Sequence, residues 1–333
     1  MTGTCATGLL HRVWALLAMT ALAAAASAAT AAESSYPNHP IRLIVGFPAG
    51  TTDDFNARVL GAKLTEKFGQ TVVVDNRSGA SGHLAAEVAA HANPDGYTLM
   101  LAGTLTLASS ITLFPRLGYD LLKDFAYVGT FASGPNVLMA HPTLPAKTFP
   151  EFLALVKTKP ASLRYGSAGP ASTGHLSMEL LLSRMNAHVL HVPYKGGSGV
   201  AVAVASGEVP LGFMSIPSAI PLIQAKRATA LAVTSARRSA GLPDVPTIAE
   251  SGFPGYDVKN NFGVFAPAGT PAAVVTLLNK EIRAIAAMDD VKAKLASQGV
   301  DPGASTPAEH RALMEAEVKM WAKLVKDAKI TLN

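Results

Sequence analysis

The chain has 333 residues, enough for about two domains at roughly 100–200 residues each. It is 49% hydrophobic and only 15% charged, against a usual charged share of roughly 25%, so it has ample apolar surface to bury and is not a disordered polymer. A net charge of +5 without any dense run of Lys or Arg gives no reason to expect a nucleic-acid partner.

Taken in chain order, the first feature is an address. Arg12 is the lone charge before Glu33, an apolar run follows from Val13 to Ala26, and small-x-small sites stand at Ala26-Ser27-Ala28 and Ala29-Thr30-Ala31. This pattern predicts a secretory signal over residues 1–32 and a periplasmic location. The single cysteine, Cys5, precedes the apolar run. Cleavage therefore removes it and leaves a chain that relies on its core rather than on disulfides. Elsewhere the apolar stretches are broken: Val209 to Gln224 holds Pro210, Pro217 and Pro221, which argues against a membrane span.

Next come alternating strand and helix signals. Ile41 to Val45 reads as a strand and Gly46 to Thr52 as a tight loop; Phe55, Val59, Leu60 and Leu64 then fall at helical spacing. Gln70 to Val74 is a second strand. A Ser/Gly loop from Asn76 to Gly82 leads into an Ala-rich helix, and the turn Pro94-Asp95-Gly96 precedes a strand at Tyr97 to Leu101. The alternation resumes with a strand at Asn136 to Ala140, a helix at Phe149 to Lys157, a strand at Leu163 to Gly166 and a helix at Leu176 to Met185. Short connections between alternating elements predict an α/β fold with largely parallel sheets. Thr148 with Glu151, and Thr306 with Glu309 behind Pro307, have the spacing of capping boxes. The last helix repeats Met314, Val318, Trp321 and Val325 as one buried stripe.

Enzyme signatures are scarce. Gly196-Gly197-Ser198-Gly199 is followed by Val200, so it is no nucleophile elbow, and there is no phosphate-binding lysine loop, dinucleotide fingerprint or paired-histidine zinc motif. His188 and His191 are three apart on an expected strand and would face opposite sides, which disfavours a shared metal. His175, in the first turn of an expected helix, reads as structural or ligand-lining, with a proton carrier as the alternative. The chain is thus expected to have no catalytic residue, no metal and no cofactor. What it does have is three small, hydroxyl-rich segments ahead of helices: Gly46 to Thr52, Thr104 to Thr106, and Gly166 to Thr173. Each would present free backbone N–H groups where a helix carries roughly half a positive charge, a place for a carboxylate without an Arg or Lys partner. Taken singly, each reads first as an ordinary connecting loop with a Ser or Thr cap.

Together the segments resemble the Bug, or TctC-like, solute receptors of tripartite tricarboxylate transport. The resemblance runs from about Tyr36 to Lys326 and rests on Tyr36-Pro37-Asn38-His39-Pro40-Ile41-Arg42, Phe47-Pro48-Ala49-Gly50, Val74-Asp75-Asn76-Arg77, Pro94-Asp95-Gly96-Tyr97-Thr98-Leu99 and Tyr165-Gly166-Ser167-Ala168-Gly169. It continues in His191-Val192-Pro193-Tyr194-Lys195-Gly196, Leu231-Ala232-Val233-Thr234-Ser235, Leu242-Pro243-Asp244-Val245-Pro246-Thr247 and Ala266-Pro267-Ala268-Gly269-Thr270-Pro271. It implies a fold like the type II periplasmic binding proteins, with two α/β domains joined by a two-strand hinge and a ligand cleft between them. The first domain would comprise residues 36–134 plus 260–333 and the second 135–259, with crossings near Ser133-Gly134-Pro135 and Val258 to Phe262. The implied ligand is a small organic anion, a mono- or dicarboxylate. Carried onto this sequence, the grip falls on Phe47, Ala49, Gly50, Thr51 and Thr52 from one side. From the other it falls on Ser167, Ala168, Gly169, Ser172 and Thr173, with Thr104 and Thr106 beside them. The implied state is a monomer, with transporter membrane components as candidate partners; the alternatives are a signalling partner and, from the residues, an exported α/β enzyme using His175 or Ser167.

Four departures stand out. Thr51 replaces the family's usual second glycine in the first loop, and Asp53 is an extra acid beside the family's Asp54. Met214 and Ser215 stand where an Asp-Asn pair is common, and Ser81 and His83 replace a common Gly and Asn. The departures bear on ligand choice rather than on fold.

Overall fold

A computed structural model describes residues 36–114, 116–327 and 330. The expected signal, residues 1–32, lies outside them. The chain divides into residues 1–39 and 40–333, and every strand and helix among the described residues belongs to the second unit.

Ten strands form one sheet of order β2–β1–β3–β9–β4–β7–β5–β6. The strands are β1 (Ile41–Val45), β2 (Val72–Asn76), β3 (Thr98–Gly103), β4 (Phe125–Ala140), β5 (Arg164–Ser167), β6 (Leu190–Pro193), β7 (Leu211–Ser215), β8 (Thr229–Val233), β9 (Lys259–Pro267) and β10 (Asp301–Pro302). β8 and β10 also pair with β4. The helices are α1 (Thr52–Phe68), α2 (His83–Ala90), α3 (Thr104–Leu113), α4 (Phe149–Thr158), α5 (Thr173–Met185), α6 (Gly197–Ser206), α7 (Ile216–Gln224), α8 (Ala272–Ala287), α9 (Asp289–Ala296) and α10 (Pro307–Asp327). The α/β class is as the alternation predicts.

The sheet is mixed, however, not largely parallel. β1 runs parallel to β2 and β3, and β5 parallel to β6 and β7. β9 is antiparallel to both β3 and β4, and β7, β8 and β10 are antiparallel to β4. Two long strands cause this. β4 has 16 residues, not the five at its C-terminal end that the pattern marks. Its first part pairs with β9 from Phe125↔Pro267 to Pro135↔Lys259, and from Asn136 onward it pairs with β7 and β8. Its alternation is blurred because it is buried along nearly its whole length, shifts register twice against β9 and once against β8, and carries Gly134 and Pro135 where its partners change.

Helix ends follow the caps read from sequence. Thr148 and Glu151 close a full capping box on α4, and Thr306 and Glu309 exchange hydrogen bonds at α10. α10 buries Met314, Trp321 and Val325 in the main core, with Val318 half-buried beside it. A smaller core of Val137, Met139, Val200, Val204, Met214, Ile216 and Val233 packs α6 and α7 onto the other face of β4 and β7. One local expectation fails: His188 precedes β6 rather than lying on it, so the strand-face argument about His188 and His191 does not apply.

Candidate functional site: a cation-free cleft ringed by helix N-termini

The first loop connects β1 to α1 and is organised by Asp54. Its carboxylate takes the Gly50 N–H (3.0 Å), the Asn76 amide (3.0 Å) and the Arg58 guanidinium (2.9 Å). Asn76 also donates to the Phe47 carbonyl (2.9 Å), which fixes the loop crest. Burial alone would raise the Asp54 pKa, but the bonds from Arg58, Gly50 and Asn76 outweigh it and hold the carboxyl below its ordinary value. Thr51 caps α1: its hydroxyl takes the Asp54 N–H and donates to Pro48 O (2.9 Å). The hydroxyl that replaces glycine is therefore a cap. Gly50, at φ 81°, supplies the left-handed turn into it.

The second loop connects β5 to α5 and is organised without charge. The Ser167 hydroxyl lies 2.7 Å from His191 Nε2 and bonds the Gly169 carbonyl at 3.0 Å. The His191 ring stacks on His175 with centroids 4.1 Å apart, and His175 Nδ1 accepts the Ala171 N–H at 3.2 Å. Burial, with the neighbouring His191 adding to it, pushes His175 down to about 3; burial alone pushes His191 down to about 4. Both rings are neutral wedges under a loop whose Ala171 is held at φ 60°. Ser167 has no exposed surface and borders neither of the cavities beside the loops, so its contact with His191 supports the loop and is not a nucleophile–base pair. Ser172 caps α5 through the His175 N–H, leaving the first-turn N–H groups of Thr173 and Gly174 without intrahelical acceptors. A Cβ on Gly174 would stand 2.9 Å from Phe213 O, so only glycine lets α5 approach β7 this closely.

Between the loops lies a cavity of about 70 Å³. The first turns of five helices border it: Thr52 and Asp53 of α1, Thr106 of α3, Thr173 and Gly174 of α5, Gly197 of α6, and Pro217 and Ser218 of α7. Phe47, Phe213, Met214 and Phe262 supply apolar wall, and Asn136, Ser215 and Asn260 supply polar wall. No Lys, Arg or His is among the lining residues. First turns of five helices offer an anion backbone groups without a basic side chain, while the Asp53 carboxyl on the same wall opposes it.

Of the residues expected in the grip, Phe47, Thr51, Thr52, Thr106, Ala168, Ser172 and Thr173 border this cavity. Gly169 borders a neighbouring cavity of about 540 Å³ that shares Phe47 and Ala168 as its wall. Ala49 and Gly50 are exposed on the loop crest, Ser167 is buried beneath the second loop, and Thr104 turns toward Glu317 of α10. Asn136, Gly174 and Asn260 join the wall without being expected there. The sequence does carry a signal for them: asparagines beside the strand positions where the chain changes partners, and a glycine in the first turn of a capped helix.

This geometry defines a solute-binding receptor, and comparison with known proteins agrees. The family model "Tripartite tricarboxylate transporter family receptor", TctC, matches residues 56–330. Protein BugT of Bordetella pertussis (strain Tohama I) is 34% identical over 294 residues, covering 88% of this chain and 90% of that one. The solved structure "R. palustris Rpa4515 with adipate" superposes with a TM-score of 0.85 at 37% identity, covering 89% of this chain and 99% of the other. The structure of MatC from Rhodopseudomonas palustris with bound malate superposes at 0.80 and 31% identity, covering 87% and 100%. The chain belongs to the tripartite tricarboxylate transporter receptor family, the Bug or TctC type, and is a solute-binding receptor rather than an enzyme.

Proposed function

We propose that this receptor works in the periplasm and captures a small organic acid for a tripartite tricarboxylate-type transporter. The observation that carries the reading is the ring of five helix first turns around a cavity whose lining contains no cation. The bound adipate and malate of the two related structures support a carboxylate as the solute. The grip we propose is the set Phe47, Thr51, Thr52, Thr106, Ala168, Ser172 and Thr173, joined by Gly174 and Asn136.

We also propose that β4 and β9 are the hinge. Residues 36–134 plus 260–333 form one lobe and 135–259 the other, and the partner change at Asn136 supports that division. Each lobe brings helix ends to the ligand, so the ligand binds the closed arrangement better than the open one and draws the protein toward it. The decisive measurement is thermal shift of the mature chain against mono- and dicarboxylates, with native mass spectrometry for any co-purified acid. A cognate acid at about 100 times its Kd should add roughly 2.7 kcal/mol of stability. If no carboxylate raises the Tm and none co-purifies, the reading is wrong.

A further inference from the structure

The cavity that gathers the helix ends also holds buried oxygen acceptors that the protein leaves unpaired. Asp53 is 7% exposed and lines the cavity, and its Oδ1 has no hydrogen-bond partner among the described residues. Asn260, from β9, lines the same cavity, and its Oδ1 is likewise buried and unpaired. The two meet at Gly103. The backbone there reaches the Asp53 carboxyl, and a Cβ on Gly103 would fall 2.4 Å from Asn260 Oδ1. The Thr52 hydroxyl, also lining the cavity, is unpaired too.

Asp53 differs from its neighbour in having no cation. The Asp54 charge is matched by Arg58, while around Asp53 the lining holds no basic side chain. The charged group that acts on Asp53 is Asp54, an acid; on the adjoining elements Arg58 is paired with Asp54, Lys259 of β9 faces Asp257, and Glu317 of α10 lies beyond Thr104. A buried acceptor left unpaired is costly, and more so when charged. A plain dicarboxylate brings only further acceptors and further negative charge, so it pairs with this corner only while Asp53 is protonated. A hydroxyl or ammonium group on the solute relieves it directly. Sites built this way discriminate strongly against the analogue that lacks the donor.

We propose that Asp53 and Asn260 form a donor-reading corner of the cleft, and that the solute is a carboxylic acid carrying a hydroxyl or ammonium group beside its carboxylate rather than a plain dicarboxylate. This rests on the carboxylate-receptor reading and narrows it. The carboxylate lies against the helix first turns and the donor points to Asp53 Oδ1 and Asn260 Oδ1. Burial supports the assignment by pushing the Asp53 pKa up to about 7, because such a carboxyl ionises readily when a donor or cation arrives.

The test is calorimetric titration of the full mature chain with matched acids: succinate, malate and aspartate, then adipate, 2-hydroxyadipate and 2-aminoadipate. At least one donor-bearing acid should bind ten-fold or more tightly than its plain parent. Asp53→Ala should shrink that ratio to three-fold or less, with the parent acid gaining affinity once the opposing carboxyl is gone. Asp53→Asn, the closest replacement in shape, keeps one acceptor oxygen; it should spare a hydroxyl preference and abolish an ammonium preference, which separates the two donors. Equal binding of parent and derivative by the native chain overturns the proposal and leaves the receptor reading standing. So does a ratio that survives both Asp53→Ala and Asn260→Leu. If none of the six acids binds, the proposal falls, and the receptor reading falls with it only if no carboxylate of the wider panel raises the Tm. Folding of each variant is checked by its Tm, which Asp53→Ala should hold or raise.

Discussion

The two loops that face each other across the cleft do the same job by different chemistry. Each holds a chain crest at the start of α1 or α5, whose first turns border the cavity. The β1–α1 loop is braced by an ion: Asp54 gathers Gly50, Asn76 and Arg58. The β5–α5 loop is braced by neutral, desolvated rings, with His175 and His191 stacked beneath Ser167 and Ala171. A helix N-terminus can thus be aimed by charge or by packing, and the choice decides which solution condition loosens it. Salt and loss of the carboxylate act on the first loop. Acid acts on the second.

The comparison breaks most visibly at Asp54. Asp54→Ala leaves three donors without their acceptor and should cost about 2–3 kcal/mol of stability, measured by urea denaturation, together with a large loss of carboxylate affinity. A loss under 1 kcal/mol would show that the loop does not depend on that ion. The acid limb comes next. His175 has a folded pKa of about 3 against an ordinary 6.5, so the unfolded chain takes up a proton across that window and the native chain does not. Its stabilising contribution is complete above 6.5 and drains away as pH falls toward 3, amounting to about 2 kcal/mol by pH 5. Asp53 and Glu317, both raised by burial to about 7, slope the opposite way between their ordinary values and 7. The informative quantity is therefore the difference between the native chain and His175→Gln, whose Tm–pH curve should be flatter below pH 6.5. Parallel curves would remove the histidine from the account.

Smaller effects sharpen the contrast. Ala171 sits at φ 60°, a conformation costing an L-residue roughly 1–2 kcal/mol that glycine avoids at some entropic cost. Ala171→Gly should stabilise by about 0.5–1 kcal/mol in thermal unfolding, and no gain would mean that the alanine methyl offsets the strain. Arg58 is largely exposed, and Arg58→Ala should cost only about 0.2–1 kcal/mol, shrinking further in 1 M salt. An effect as large as that of Asp54→Ala would place the guanidinium, rather than the backbone bonds, at the centre of the first loop.

Sequence reading reaches the loops because their signals are local: Thr51 and Ser172 are caps, Gly50 is a left-handed turn, and strand and helix patterns flank both. It reaches α4 and α10 for the same reason. It misses the first part of β4, where a partner from the far end of the chain, β9, makes a strand of residues that carry Gly134 and Pro135. It locates Asp53 and cannot place it. Whether an acid in a first turn is braced, like Asp54, or stranded, like Asp53, depends on Arg58, Asn76, Gly103 and Asn260, which only the fold assembles. Ala49, Gly50, Ser167 and Thr104 illustrate the converse, residues of the right segments whose side chains or exposure keep them off the cavity wall.

The long pairing of β4 with β9 has a consequence for how the chain acquires its fold. β3 ends at Gly103 and β4 begins at Phe125, yet the strand that lies between them in the sheet begins only at Lys259. Until β9 is present, β3 and the first part of β4 keep open edges, the arrangement most prone to pairing with a wrong chain. Pairing of such high contact order is slow, and a chain ending before residue 259 has every helix whose first turn borders the cavity but no closed sheet to hold them in register. Truncation series read by protease resistance should therefore show protection of the ring helices arriving together, after residue 267 and not before.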